Sequence, residues 1–283
     1  MSSNRKKARS SRISIIIILL CIIGIAIIAG FPIYWMFNTS LLPTNEMFTS
    51  SPRLWPSFDS LGGFSNLFQE LEIAKWLTNS AFIAVGTTFA SLGMALFAAY
   101  AISRRKFRGR GFIGFIMFAT QMLPEALLVI PLYALFISLG LINNLWGLIL
   151  VNAAFVMPII VWVLKGAIDS IPHEIEEAAI VDGCSTLQIQ RLIIWPLIAP
   201  SIVAGAVLAF FHAWNEYLFA TTFILDMDKR VASTGLASLI GELTTPLDRV
   251  MSASLLYTLP PIIFFLIVQR RIVDGLTSGG IKG

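Results

Sequence analysis

The chain has 283 residues, of which 57% are hydrophobic and 13% charged, and its mean hydropathy is +0.81. In a soluble domain roughly a quarter of residues are charged, so the composition excludes that class and predicts an integral membrane protein. The net charge of +4 does not imply a nucleic-acid partner, because the basic residues gather beside apolar spans, where the positive-inside rule accounts for them.

The first 12 residues form a polar tail carrying Arg5, Lys6, Lys7, Arg9 and Arg12. The apolar stretch Ile13 to Phe37 that follows is longer than the roughly 7–15 residues of a signal-peptide core, and Tyr34 and Trp35 near its far end suit an interfacial anchor. It is therefore expected to be a retained first helix, grouped with an outer segment as 13–78. Five more spans are predicted at about 79–102, 112–136, 145–164, 197–225 and 250–268, each near or above the ~20 residues needed to cross a bilayer. They make up a core of 79–268, followed by a tail of 269–283. The fold class is all-α integral membrane with six transmembrane helices, which puts both termini on one face. Of the 20 Lys and Arg residues, 15 fall on the face of the termini and five on the other, so the termini are expected to be cytoplasmic.

In the second span, Ala84, Thr88, Ser91, Ala95 and Ala98 form a stripe of small residues suited to close helix contact in lipid. Pro124 and Pro131 in the third span, Pro158 in the fourth, and Pro260 and Pro261 in the sixth predict bent inner helices, since each releases a backbone carbonyl that neighbours must satisfy. Glu125 and Glu216 sit within spans, where a carboxylate at membrane depth marks either a translocation pathway or a structural pairing. Around Glu216, Phe210, Phe211, Trp214 and Tyr217 offer ring faces and Asn215 offers both donor and acceptor. This mixture suits a sugar or ordinary helix packing. The polar outer segment at about 226–249, with Asp226, Asp228, Lys229 and Arg230, is either a contact for a soluble partner or a solvated connector.

Between the fourth and fifth spans, residues 165–196 read KGAIDSIPHEIEEAAIVDGCSTLQIQRLIIWP. A helix is expected to start near Pro172, with Glu174, Glu176 and Glu177 at the positive end of its dipole, and to stop at Gly183. A second helix should start at Ser185, which with Gln188 three residues on fits a reciprocal cap, and end at Pro196. Ile175, Ala178, Ala179 and Asp182 then share one side of the first helix, where the small alanines admit a neighbouring backbone.

The spacing of Glu177-Ala178-Ala179, Gly183, Ile193 and Pro196 resembles the EAA loop of permease subunits of ATP-binding-cassette importers, with Trp195 where the family pattern has Leu. Pro131-Leu132-Tyr133, Trp214-Asn215-Glu216 and the terminal GLTSGGIKG are similar to the smaller permease of carbohydrate-uptake importers of the maltose and glycerol-phosphate type. The resemblance implies a type I importer transmembrane domain in a prokaryotic cell (inner) membrane. It would pair with a homologous second permease subunit, two ATP-binding subunits and an extracytoplasmic solute-binding protein. The ATPase-coupling residues would be Glu176, Glu177, Ala178, Ala179, Asp182 and Gly183. Glu125, Trp214, Asn215 and Glu216 would be possible pathway residues.

No cofactor or metal is expected on this chain, and the resemblance implies ATP and Mg at the partner ATPase subunits. No G-x-x-x-x-G-K-[ST] phosphate loop occurs. The two histidines, His173 and His212, lie in no H-E-x-x-H motif, and Cys21 and Cys184 have no metal-type spacing. The expectation is therefore a non-enzymatic membrane subunit. The alternative is a self-sufficient secondary transporter or channel using Glu125 and Glu216.

Overall fold

The computed structural model describes residues 2–42, 46, 53–56, 64, 67–68, 71–241 and 247–279, with side chains described from 15 to 270. The basic side chains at 5–12 and the side chains of the terminal run at 275–283 lie outside that description. In chain order the helices are α1 (Ser2–Ser40), α2 (Ile73–Arg104), α3 (Arg110–Thr120), α4 (Glu125–Ser138), α5 (Leu145–Asp169) and α6 (His173–Val181). Then come α7 (Thr186–Leu197), α8 (Ala199–Trp214), α9 (Leu218–Phe223), α10 (Ala232–Ala237) and α11 (Leu247–Gly279). Among the described residues there is no strand.

Among the described residues, four stretches are long and apolar enough to cross a membrane as single helices: Ile15–Ser40, Ile73–Arg104, Leu145–Asp169 and Leu247–Arg270. Two further spans are broken. The third, expected as one helix over 112–136, is α3 and α4 meeting at 104°. Pro124 is the cause: it pushes the residue before it out of helical geometry and itself sits extended at the N-cap of α4. Pro131, Pro158, Pro260 and Pro261 lie inside uninterrupted helices. The fifth span, expected over 197–225, stops at Trp214 and restarts as α9. Its entry differs as well, because the hairpin helix runs through Pro196 to Leu197 before an 82° bend into α8.

By internal contacts the chain forms two units, 1–71 with 239–256, and 72–238 with 257–283. In the first unit the apolar side chains between Ile15 and Ile28 are exposed, a surface suited to lipid tails. At the far end of α1, Asn38 is buried and donates to the Arg53 carbonyl at 2.8 Å, Tyr34 donates to the Leu54 carbonyl, and Phe31 stacks on Trp35.

In the second unit α2 is the central element and packs chiefly along α5 and α8. The expected small-residue stripe is its buried face: Ala84, Thr88, Ser91 and Ala95 are buried and Ala98 is half-buried. The hydroxyls of Thr88 and Ser91 donate to the carbonyls of Ala84 and Thr87, both at 2.7 Å, so the polar groups are satisfied within the helix. One apolar cluster joins Ala95 and Ala99 of α2 to Ile160 and Leu164 of α5 and to Ala179, Ile189 and Ile194 of the hairpin. Hairpin and membrane helices thus share one packed core, and displacing one strains the other.

The outer connector folds back on the start of α2. Lys75 pairs with Asp228 at 2.6 Å and holds its carboxyl below the usual carboxylate range, chiefly by this hydrogen bond. Asn79 donates to the Arg230 carbonyl at 2.9 Å, and Ser80 accepts the Ala232 N–H at 2.8 Å. Gly235 meets the Trp76 ring so closely that an added Cβ would lie 2.2 Å from it. Gly235→Val should therefore cost about 1–3 kcal/mol, read as a lower thermal midpoint of the detergent-solubilised protein, whereas Ser238→Ala should change it little.

Candidate functional site

The hairpin folds from local signals. Pro172 is the extended N-cap of α6 rather than its first helical residue, and Glu174 and Glu176 fall in the first turn. Gly183 closes the helix at φ +83°, a left-handed conformation that disfavours any residue with a Cβ, while Cys184 N–H donates to the Ala179 carbonyl at 2.9 Å. Ser185 and Gln188 form the reciprocal cap that opens α7. Within α7, Gln190–Ile194 widens into a π-helical turn. Trp195 then packs edge-on against Phe97, with ring centroids 5.7 Å apart, and the Arg191 guanidinium lies over its ring at 6.0 Å.

The structure divides the expected hairpin residues into two faces. Glu177, Ala178, Asp182 and Gly183 are exposed, together with Ile175, Ile180 and Val181, the last 86% exposed. Glu176 and Ala179 are buried within this chain. Ala179 joins the shared apolar core, and Glu176 meets the end of α2.

That meeting is an ion pair almost closed to water. Arg104 Nε lies 2.5 Å from Glu176 Oε1, with the two side chains 6% and 10% exposed. The Arg104 Nη2 donates to the carbonyls of Ile168 and Ile171 at 3.0 and 2.7 Å, and Nη1 lies 3.3 Å from His173 Nε2. The Tyr100 hydroxyl donates to Glu176 Oε2 at 2.9 Å. Beside it, Ser103 donates to Asp169, which also pairs with Lys165 at 2.5 Å, and Arg105 donates to Thr186 at 2.9 Å. Sequence reasoning did not single out Tyr100 or Arg104. Nothing local connects a residue at the end of α2 to one over 70 positions later.

The four residues expected near the outer end of the fifth span occupy different environments. Trp214 is buried, stacked on Phe210 and tilted against Tyr257. Glu216 accepts the N–H groups of Phe219 and Ala220 at 2.5 and 2.9 Å, which starts α9 and explains the break in the span. Asn215 is exposed, with its amide donating to the Phe211 carbonyl at 3.0 Å. Glu125, in the first turn of α4, faces the same concave surface as Asn215 and Glu216, a cavity of about 830 Å³ also lined by His212.

Among the described residues no group of three or more His, Cys, Asp or Glu side chains is arranged to hold a metal ion. The two free cysteines are Cys21, exposed, and Cys184, half-buried.

Removing one partner of the Arg104–Glu176 pair leaves the other buried and uncompensated, which costs about 3–5 kcal/mol, whereas removing both costs less. In a double-mutant cycle of thermal unfolding, Arg104→Met and Glu176→Gln should each lower the midpoint strongly and combine less than additively.

Residues 91–278 match the family described as binding-protein-dependent transport system inner membrane component. Trehalose transport system permease protein SugB of Mycobacterium tuberculosis is 34% identical, with 93% of this chain and 94% of that one covered. Trehalose/maltose transport system permease protein MalG of Thermococcus litoralis is 34% identical over 94% and 97% of the two chains. Diacetylchitobiose uptake system permease protein DasC of Streptomyces coelicolor is 32% identical over 89% and 92%. A crystal structure of a bacterial ABC transporter involved in import of the acidic polysaccharide alginate shares the fold, with a TM-score of 0.77 at 23% identity over 93% and 97% of the chains. The family that the hairpin spacing resembles is thus the family found: this chain belongs to the inner membrane permease components of binding-protein-dependent transport systems.

Proposed function

We propose that this chain is the permease subunit of an ATP-driven, binding-protein-dependent importer that moves a sugar, oligosaccharide or glycerol-phosphate-like solute by alternating access. Its partners are a homologous second permease, two ATP-binding subunits and an extracytoplasmic solute-binding protein. ATP and Mg belong to the ATP-binding subunits, and this chain performs no hydrolysis. Both termini and the hairpin lie on the cytoplasmic face. The relatives that carry trehalose, maltose or diacetylchitobiose in their names support the sugar class.

The observation that carries the reading is the two-faced hairpin. Its outward side offers Ile175, Ala178 and Val181, flanked by Glu177 and Asp182, to a protein cleft. Its inward side shares a core with α2, α5 and α8 and is bound to α2 by Arg104. Closure of the ATP-binding pair on ATP moves the hairpin, and the packed core together with the buried ion pair carries that displacement into α2. Glu177, Ala178 and Asp182 make the contact, Gly183 sets the turn, and Glu176 and Ala179 hold the hairpin to the membrane helices. In vesicles holding the complete assembly, Gly183→Val or Glu177→Lys should leave the subunit inserted and ATP hydrolysis running while solute uptake falls by about tenfold or more, the equivalent of ~1.4 kcal/mol of lost coupling. Wild-type uptake by both variants would sink this reading.

A further inference from the structure

The cavity beside α8 contains more chemistry than the hairpin mechanism uses. It forms where two interruptions of membrane helices come together, the α3–α4 break at 121–124 and the α8–α9 break at 215–217. Non-helical backbone at membrane depth is tolerated where it is buried in protein or lines a water-filled space. Counted along α8 from its hairpin end, 16 residues at ~1.5 Å each reach about 24 Å. In a hydrocarbon core of ~30 Å the cavity therefore lies in the half of the bilayer remote from the hairpin. Its volume of about 830 Å³ falls in the ~300–1,000 Å³ range of small-molecule sites.

Glu216 lines this cavity, and its two oxygens accept the N–H groups of Phe219 and Ala220, so its part is to hold the break open. Glu125, His212 and Tyr217 also line it, and their side chains make no hydrogen bond or ion pair with other described residues. Asn215 lines it too, with its side-chain carbonyl accepting from the Tyr257 hydroxyl at 3.4 Å. Phe211, Tyr217 and Phe265 supply ring faces, and among the described residues no Lys or Arg lines the space.

We propose that this cavity is a sugar subsite carried by this chain itself and built for an uncharged glycosyl unit. The proposal rests on the permease reading above and narrows its solute class. Glu125 accepts hydrogen bonds from sugar hydroxyls, His212 and Asn215 exchange them, and the rings cover the apolar CH face of the pyranose. An anionic solute finds the Glu125 carboxylate and, among the described lining residues, no Lys or Arg, so phosphorylated and uronate sugars are disfavoured. Trp214 packs behind the wall and Glu216 shapes it, and neither contacts the sugar.

The test uses the complete assembly, with its partner permease, ATP-binding subunits and binding protein, in proteoliposomes. The probes are labelled maltose, trehalose and diacetylchitobiose, set against glycerol 3-phosphate and a uronate disaccharide. We expect ATP-dependent uptake of at least one uncharged probe and of neither anion. Glu125→Gln and Tyr217→Phe are both conservative in shape; the first should raise the KM for that probe by about 10- to 100-fold, the scale of a lost hydrogen bond to a charged group, and the second by about 2- to 10-fold, the scale of a neutral one. Uptake of an anionic probe, or an unchanged KM in both variants, overturns the subsite and leaves the permease reading standing. No ATP-dependent uptake of any of the five probes likewise overturns the subsite for these sugars and leaves the permease reading standing.

Discussion

The guanidinium of Arg104 holds the architecture together at one point. It comes from the last residue of α2 and meets the carboxylate of Glu176 on the hairpin and two backbone carbonyls at the end of α5. Burying an ion pair costs several kcal/mol of lost hydration, and such a pair persists only where additional hydrogen bonds satisfy what remains. Here the Tyr100 hydroxyl takes the second carboxylate oxygen, and the carbonyls of Ile168 and Ile171 take the outer amino group. A lysine could not take this role, because a point charge on a flexible stem lacks the planar fork that reaches a carboxylate and two carbonyls together.

The consequence is mechanical. Ala179, Ile189 and Ile194 insert from the hairpin into the core built by α2, α5 and α8. Interiors packed at crystal-like density do not deform continuously, so displacement of the hairpin is met by movement of whole helices. The π-helical turn at Gln190–Ile194 and the bend after Leu197 come directly between the hairpin and α8, so the chain changes direction there before it enters the membrane.

At the other end of the same unit, backbone geometry rather than charge sets the site. Pro124 splits one span, and the Glu216 carboxylate splits another by drawing two amide hydrogens to itself. Each interruption by itself would be expensive in hydrocarbon. Facing a common cavity, they expose Glu125, His212 and Asn215 to a space that water or a hydroxylated solute can fill.

Much of this was legible in the sequence. The composition required a membrane protein, and the lengths of the apolar runs gave the number of crossings. The hairpin could be read almost residue by residue, since Gly183 and the Ser185–Gln188 cap act within a few positions of themselves. Family membership followed from spacing for the same reason. Proline positions announced irregularity without saying which would break a helix: Pro124 does, while Pro131 and Pro158 remain within theirs. What only the tertiary structure decided were the pairings of groups far apart in the chain. It turned Glu176 inward onto Arg104, made Glu216 a helix cap and Trp214 a core residue, and brought Glu125 to the same cavity as His212. Periodicity assigns a residue to a face of its helix, but the partner of that face is fixed only when the helices pack.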